Sequence, residues 1–234
     1  MSSRRGAAAA RAQERSAHAF VEALAFSFSL EGLRPSKSVV RRVAADLSRP
    51  PALIPALTVR EPFPAWRATS DWPCEKGRRL DASFSISASR AFLLLGQDPL
   101  RTMRPSALAR VVHHALFAHE WRDAGFHRRA DTDLGVPRSE IAHALAILND
   151  EWLATSENTV VVRVAQLHSN FARIRPFRDG NGRTGRLLSD LMLMFEGRSN
   201  ATWGAGHPSA PARYLDALRA SDGGDHSALE ELLR

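Results

Sequence analysis

Three features are scarce or absent in this 234-residue chain. A single cysteine, Cys74, excludes an intramolecular disulfide and a cysteine-rich zinc site. No apolar run approaches the roughly 20 residues that a membrane-spanning helix needs. Paired arginines near the start resemble an export signal, but Arg11 and Glu14 interrupt any apolar segment behind them. We therefore expect a cytoplasmic protein with no membrane partner.

Lysine is scarce as well, since only Lys37 and Lys76 occur and the formal net charge of +7 comes from arginine. The arginines are scattered, and no segment interleaves them with aromatic side chains as a single-strand nucleic-acid surface would. This bias, with the many alanines, indicates GC-rich coding. Nucleic acid is therefore not expected as a partner, and whether a homodimer forms is left open.

The remaining pattern is helical, so we predict an all-α fold built on one principal domain. We expect a flexible basic tail at residues 1–15, N-terminal helices with a Pro-rich linker at 16–80, and the main body at 81–234. Ser139 is expected to cap a helix, and the polar segment 122–137 fits a loop or a short hairpin. The predicted helices cover residues 16–27, 38–47, 105–121, 141–153, 160–174, about 183–195, 211–220 and 227–233.

The segment RPFRDGNGRTGR at residues 175–186 separates the two most apolar predicted helices. Gly180 and Gly182 let the backbone turn tightly, and Asn181 tolerates left-handed geometry, so that successive N–H groups can face one anion. A helix starting near Arg183 adds its positive end. The pattern predicts a seat for phosphate groups.

Charged side chains next to this turn suit the same ligand. Arg183 and Arg186 are three residues apart on one face of a helix and can fork onto phosphate oxygens, while Asp179 offers a hard oxygen ligand to Mg²⁺. A glycine-rich turn with a helix cap and two solvated arginines is the alternative. We favour a site for a nucleotide di- or triphosphate with a metal.

Residues 175–186 resemble the signature of the Fic family, HPFxDGNGRxxR, at every signature position except the first. The flanking LHSNFARI and LLSDLML, and YLDAL at residues 214–218, are similar to family sequence too. The resemblance runs from about residue 105 to the end. It implies an all-helical Fic core with a short β-hairpin flap, and typically the Mg²⁺-dependent transfer of AMP from ATP to a hydroxyl of a target protein.

The resemblance also implies roles for single residues. Asp179 would bind the metal, and Phe177 would anchor the loop in the core. Backbone and side-chain groups of three residues would hold the α- and β-phosphates: Gly180, Asn181 and Gly182. Two arginines would take the outer phosphates: Arg183 and Arg186. His127, with its arginine neighbours, falls where the family has its flap.

A second segment, SFSLEG from Ser27 to Gly32, is similar to the family's inhibitory helix motif, in which S/TxxxE is followed by G or N. The resemblance implies that Glu31 pairs with Arg186 and blocks the γ-phosphate position. The alternative is the end of a helix, with a solvated glutamate and a glycine cap.

Arg175 stands where the family has a histidine that takes the proton from the attacking hydroxyl. A guanidinium stays protonated and accepts no hydrogen bond, so Arg175 cannot be that base. Loss of a general base typically costs about 10²- to 10⁴-fold in rate. Ordinary transfer to protein hydroxyls should therefore be slow or absent.

Three hypotheses follow. The first is an enzyme that uses ATP or another nucleotide and an acceptor that is already anionic, either a small molecule or a protein group, which Arg175 would orient. The second is a nucleotide-binding regulatory module without turnover. The third is family chemistry with a substitute base, for which His168 is the nearest histidine in sequence, although packing in the core is the more ordinary role for it.

Overall fold

The computed structural model describes residues 2–48, 76–94 and 98–234. Within these ranges every regular element is helical, which confirms the all-α prediction. The chain divides into one unit formed by Met1–Gly96 with His119–Arg122 and a second formed by Gln97–Ala118 with Asp123–Arg234. Most of the Pro-rich linker and Cys74 lie outside the described residues. No helix in the described ranges has the length and apolar character needed to cross a bilayer.

The first unit contains three helices: α1 (Ser2–Ser29), α2 (Lys37–Leu47) and α3 (Lys76–Leu94). The segment predicted as a flexible tail is part of α1, because its alanines favour a helix. Phe28 of α1 packs edge-on against Phe84 of α3, with ring centroids 5.4 Å apart. Ser36 caps α2, and its Oγ and N–H donate to the two carboxylate oxygens of Asp81, at 2.6 and 2.7 Å.

The second unit contains six helices: α4 (Pro105–Phe117), α5 (Ile141–Ala154), α6 (Val160–Ile174), α7 (Asn181–Phe195), α8 (Ala210–Asp222) and α9 (Ser227–Leu233). The α6 helix contacts α5, α7, α8 and α9, and α7 also contacts α4. The stripe predicted for α6 is buried, as Val164 and Phe171 show at 0% exposure. The loop that joins α6 to α7 therefore lies among the best-packed helices of this unit.

Several boundaries differ from the prediction. The α4 helix ends at Phe117, four residues before Trp121, and α7 begins at Asn181, two residues before Arg183. Ser139 is not a helix cap, because it lies inside a 3₁₀ turn at Arg138–Glu140. The α3 helix was not predicted, since its many serines and alanines give only a weak apolar stripe.

The expected hairpin flap is wrong for this structure. Residues 122–137 form turns and bends with no strand. Their backbone groups bond elsewhere, because the N–H of Arg128 donates to the carbonyl of Pro176 at 2.8 Å and that of Val136 to the carbonyl of Ile174 at 3.4 Å. The segment lies against the loop between α6 and α7, and its internal backbone bond from Phe126 to Asp123 closes a turn and pairs no strands.

Candidate functional site

Arg175 ends α6 in a left-handed conformation, with φ 48° and ψ 63°. Its N–H donates to the carbonyl of Phe171 at 3.1 Å, which closes the last turn. The side chain is half-buried, and its guanidinium makes no hydrogen bond or ion pair with residues in the described ranges. The Arg175 guanidinium therefore lies at the start of the loop with N–H donors that no described residue uses.

The side chain of Asn181 holds the loop in shape. Its Oδ1 accepts from the N–H of Phe177 at 2.9 Å, and its Nδ2 donates to the Phe177 carbonyl at 2.8 Å. Phe177 itself is buried, as the resemblance implies. The Asn181 side chain is therefore engaged with the Phe177 backbone, and the donors that remain for the phosphate contact that we predict are its backbone N–H and the second hydrogen on Nδ2.

His113 of α4 supports the same loop, a role that the sequence did not reveal. Its Nδ1 accepts from the N–H of Gly125 at 2.8 Å, so its Nε2 carries the proton and donates to the Asp179 carbonyl at 3.1 Å. The ring stacks on Phe177 at a centroid distance of 3.9 Å. Burial lowers the pKa of His113 to about 4. It is therefore a neutral brace beneath the loop.

Gly180 is the N-cap of α7, and this position requires a glycine. Its φ is 71°, and a Cβ there would lie 2.6 Å from Cζ of Phe117. Asp179 before it is exposed, and its Oδ1 accepts from the N–H of Gly180 at 2.6 Å. The second carboxylate oxygen of Asp179 makes no hydrogen bond or ion pair with another described residue.

The two arginines on the first turns of α7 are buried against aromatic faces. Arg183 is 6% exposed, and its guanidinium carbon lies 4.6 Å from the ring centroid of Phe117. Arg186 is 1% exposed and lies 5.1 Å from the ring centroid of Tyr214. The alternative of two solvated arginines is therefore wrong. A phosphate can reach either guanidinium only if that side chain becomes accessible.

His168 belongs to the core beneath α7. Ser189 Oγ donates to the Gly185 carbonyl, so His168 Nδ1 donates to Ser189 Oγ at 3.0 Å, and Nε2 accepts from the hydroxyl of Tyr214 at 3.0 Å. Burial lowers the pKa of His168 to about 3. The prediction of a core histidine is confirmed.

Asp190, one turn after Arg186, is a buried carboxyl group that the sequence analysis missed. Its Oδ1 accepts from the N–H of Ala201 at 3.0 Å and from the indole N–H of Trp203 at 3.3 Å. Burial raises the pKa of Asp190 to about 7. Its apolar neighbours in LLSDLML gave no sign of these partners.

The segment that resembles an inhibitory motif lies in the other unit. Ser27 is buried within α1, and Glu31 is exposed in the turn that follows. Gly32, at φ 76°, and Leu33 donate to the carbonyls of Ser29 and Phe28, which is the Schellman form of a helix end. The glycine cap is present, and the pairing of Glu31 with an arginine stays a prediction.

Sequence comparisons give a family for the second unit. The model of the Fic/DOC family matches residues 105–193. A probable protein adenylyltransferase of Aquifex aeolicus (strain VF5) is 33% identical over 84 residues, which cover 36% of this chain and 25% of that protein. The match thus spans about a quarter of that curated relative.

Solved structures share the fold at low sequence identity. A variant of Fic-1 from C. elegans is 18% identical with a TM-score of 0.63, over 99% of this chain and 70% of that one. A Fic family protein from Desulfovibrio desulfuricans G20 is 17% identical with a TM-score of 0.58, over 94% and 62%. BepC from Bartonella tribocorum, solved with bound AMPPNP, is 13% identical with a TM-score of 0.55, over 72% and 93%. These likenesses show a shared fold. The family match shows that the chain contains a domain of the Fic/DOC family, at residues 105–193.

Proposed function

We propose that this domain binds a nucleoside triphosphate at the amino end of α7 and transfers its nucleotidyl group to an anionic acceptor. One observation carries the proposal. The loop joins two different anion-binding features, the N–H groups that begin a 15-residue helix at Asn181 and the guanidinium of Arg175, which has no partner among the described residues. The AMPPNP bound to BepC, a protein of similar fold, supports a nucleotide as the ligand of this domain.

The phosphates would lie against backbone N–H groups. The left-handed Gly180 and the bonds from the Asn181 side chain turn the loop so that α7 starts abruptly, with the first N–H groups of the helix at the loop. A helix start carries partial positive charge and unpaired N–H donors, both of which favour polyphosphate. Arg183 and Arg186 follow on the first turns and would add charge once accessible.

Asp179 fits the magnesium ion that the family implies. Its carboxylate is exposed and has one oxygen not committed to the loop. Mg²⁺ at nucleotide sites is commonly bound by one or two carboxylates together with phosphate oxygens and waters, so one protein carboxylate is sufficient. When bound, the ion would offset the negative charge of the phosphates.

Arg175 selects the acceptor in this proposal. A phosphate or carboxylate oxygen is already deprotonated near neutral pH and needs no general base. The guanidinium would bind and orient that oxygen next to the α-phosphorus. The oxygen–phosphorus bond then forms as the bond to the bridging oxygen of the β-phosphate breaks, and pyrophosphate leaves with the electron pair.

A nucleotide-binding module without turnover is the second candidate. The burial of Arg183 and Arg186, at 6% and 1% exposure, favours it, since a site whose outer-phosphate donors are inaccessible binds its substrate unproductively. A substitute base at His168 has less support. Both ring nitrogens of His168 are used inside the core, and the low pKa leaves the imidazole a poor proton acceptor.

The test uses ATP labelled at the α-phosphate, with Mg²⁺ and a pool of metabolites and lysate protein. Transfer to an anionic acceptor gives a labelled small product or labelled phosphoprotein, and Arg175→Ala abolishes it. Arg178→Ala is the matched control, because Arg178 is an exposed arginine of the same loop. If calorimetry shows nucleotide binding but no labelled product forms, the second candidate, a binding module without turnover, is supported. No binding of any nucleoside di- or triphosphate would refute both candidates.

A further inference from the structure

The segment of residues 128–136, which we call the strap, is fastened to the loop entrance by Arg128. The Arg128 side chain is buried, at 6% exposure. Its Nε donates to the carbonyl of Arg175 at 3.0 Å and its Nη1 to the carbonyl of Ala130 at 2.9 Å, while its Nη2 donates to the carbonyl of Val136. One guanidinium thus ties both ends of the strap to the backbone of Arg175.

Gly135 brings the strap into direct contact with the same residue. Its φ is 100°, and a Cβ at this position would lie 2.9 Å from both the Arg175 Cβ and the Ile174 carbonyl oxygen. Only a glycine allows this approach without a shift of the backbone. The strap therefore packs directly on the residue that we assign to the acceptor.

Arg175 needs such support because its own conformation is unfavourable. A left-handed backbone costs a residue other than glycine about 1 kcal/mol or more. The Arg175 side chain makes no bond within the described residues that could hold the conformation. The bond from Arg128 Nε to the Arg175 carbonyl fixes the orientation of the peptide group that follows. The direction of the Arg175 side chain depends on that backbone.

We infer that Arg128 is a positioning residue for the anionic acceptor, acting through the backbone of Arg175. The inference rests on the proposed function, in which Arg175 binds the acceptor. Lysine cannot replace Arg128, because a single ammonium group does not reach the carbonyls of Arg175 and Val136 with separate, fixed donors. Asp131, 3.7 Å from Nη1, is exposed and offsets little of the charge.

The binding test titrates inorganic phosphate into the full chain saturated with Mg²⁺ and AMPPNP. Arg128→Met and Arg128→Lys should each weaken phosphate binding by about 5- to 10-fold, the value of one ordinary hydrogen bond, because the acceptor contact is loosened and not removed. Their affinity for AMPPNP should stay within about twofold of wild type. Arg129→Met is the matched control, because this exposed neighbour carries the same charge and should change neither affinity.

A double variant tests whether Arg128 acts through Arg175. Arg175→Ala combined with Arg128→Met should bind phosphate no more weakly than Arg175→Ala alone, because the second change removes support for a group already absent. Additive losses, or equal losses of phosphate and AMPPNP affinity, would make Arg128 a general stabiliser and overturn the inference. Wild-type protein that binds AMPPNP but no phosphate would overturn it as well.

A second readout needs no ligand. In the nucleotide-free chain, Arg128→Met and Arg128→Lys should speed amide hydrogen exchange at Arg175 and Phe177 while exchange in α8 stays unchanged. If amide hydrogen exchange at Arg175 and Phe177 is unchanged in these variants, the positioning role is refuted, even if no nucleotide binds. A failure of the proposed function gives a different result, because the wild-type protein then does not bind AMPPNP.

Discussion

The guanidinium at residue 175, where the resemblance implies an imidazole, determines what the loop can do with a proton. Histidine titrates near neutrality and can accept the proton of an attacking hydroxyl, whereas arginine only donates. The left-handed backbone of Arg175 also suits histidine, which is enriched in that region. The fold around the position therefore accommodates either residue, and the side chain decides the chemistry.

Arg175→His should accordingly create or raise transfer of nucleotide to protein hydroxyls. The gain expected for restoring a general base is about 10²- to 10⁴-fold, measured as protein labelling from ATP labelled at the α-phosphate. Arg175→Gln is the control, because it removes the charge without supplying a base. Equal labelling by both variants would show that residue 175 does not act on a proton.

Asp190 contributes a pH dependence of stability. Its pKa is raised by burial from 3.8 to about 7, so the folded state holds the proton more tightly than the unfolded chain. The stability associated with the neutral form is fully present below pH 3.8 and is lost as the pH rises toward 7. The loss above that range is on the order of 4 kcal/mol.

Asp190→Asn should therefore be more stable than wild type at pH 8, with an advantage that shrinks as the pH is lowered to 5. The asparagine Oδ1 can still accept from Ala201 and Trp203. His113 and His168 have lowered pKa values, so the folded protein becomes less stable as the pH falls below 6.5. This effect is the same in wild type and in Asp190→Asn. Urea unfolding at the two pH values checks the difference. A difference in the free energy of unfolding between the two proteins that does not vary with pH would refute the titration of Asp190.

At the level of the elements, the start of α7 depends on one glycine. Gly180→Ala would need φ 71° and would press a Cβ against the Phe117 ring, so the ring or the loop must shift. We expect a loss of about 2 kcal/mol or more in the free energy of unfolding and loss of nucleotide binding. Thermal unfolding and calorimetry measure the two effects.

Gly197→Ala provides the comparison for that change. Gly197 has a similar φ of 73°, but nothing lies within 4 Å of its Cβ position. It should show the backbone cost alone, about 1 kcal/mol, with nucleotide binding retained. If the two variants behave alike, the contact between Gly180 and Phe117 has no role in the site.

The helices of the second unit were predictable because each presents an apolar stripe to its neighbours. The stripe of α6 and the glycine-rich break before α7 fixed the position of the loop from local pattern alone. The strap was not predictable in this way. Its shape depends on Arg128, whose partners are carbonyls up to 47 residues away, and scattered arginines give no signal of such pairing.

For the site residues too, local sequence pattern predicts some roles and misses those that depend on contacts with distant residues. Asp179 and Gly180 could be proposed from residue chemistry, because a carboxylate is a ligand for Mg²⁺ and a glycine accepts the left-handed backbone before α7. His113 braces the loop from α4, 66 residues before Asp179 in sequence, and nothing in the sequence around it indicates that role. Asn181 was assigned to phosphate, but its side chain bonds to Phe177, a use that a tight loop demands and a motif does not reveal.

At the scale of the whole molecule, the two units carry different parts of the proposed mechanism. The loop, its arginines and the acceptor residue all belong to the second unit, whereas Ser27 and Glu31 belong to the first. The pairing of Glu31 with Arg186 that the resemblance implies stays a prediction. A carboxylate that binds Arg186 occupies the donors that an outer phosphate would use.

Glu31→Gly should raise the affinity for AMPPNP by about 10-fold, the value of one charge-assisted interaction, and leave the affinity for AMP within about twofold. The outer phosphates are absent from AMP, so a selective effect identifies competition at Arg186. Glu31→Gln keeps the shape and removes the charge, and it should reproduce most of the gain. Gly32→Ala, which disturbs the helix end but keeps the carboxylate, should not. Calorimetry with both nucleotides decides the matter, because a glutamate that only ends α1 would leave both affinities as they are in wild type.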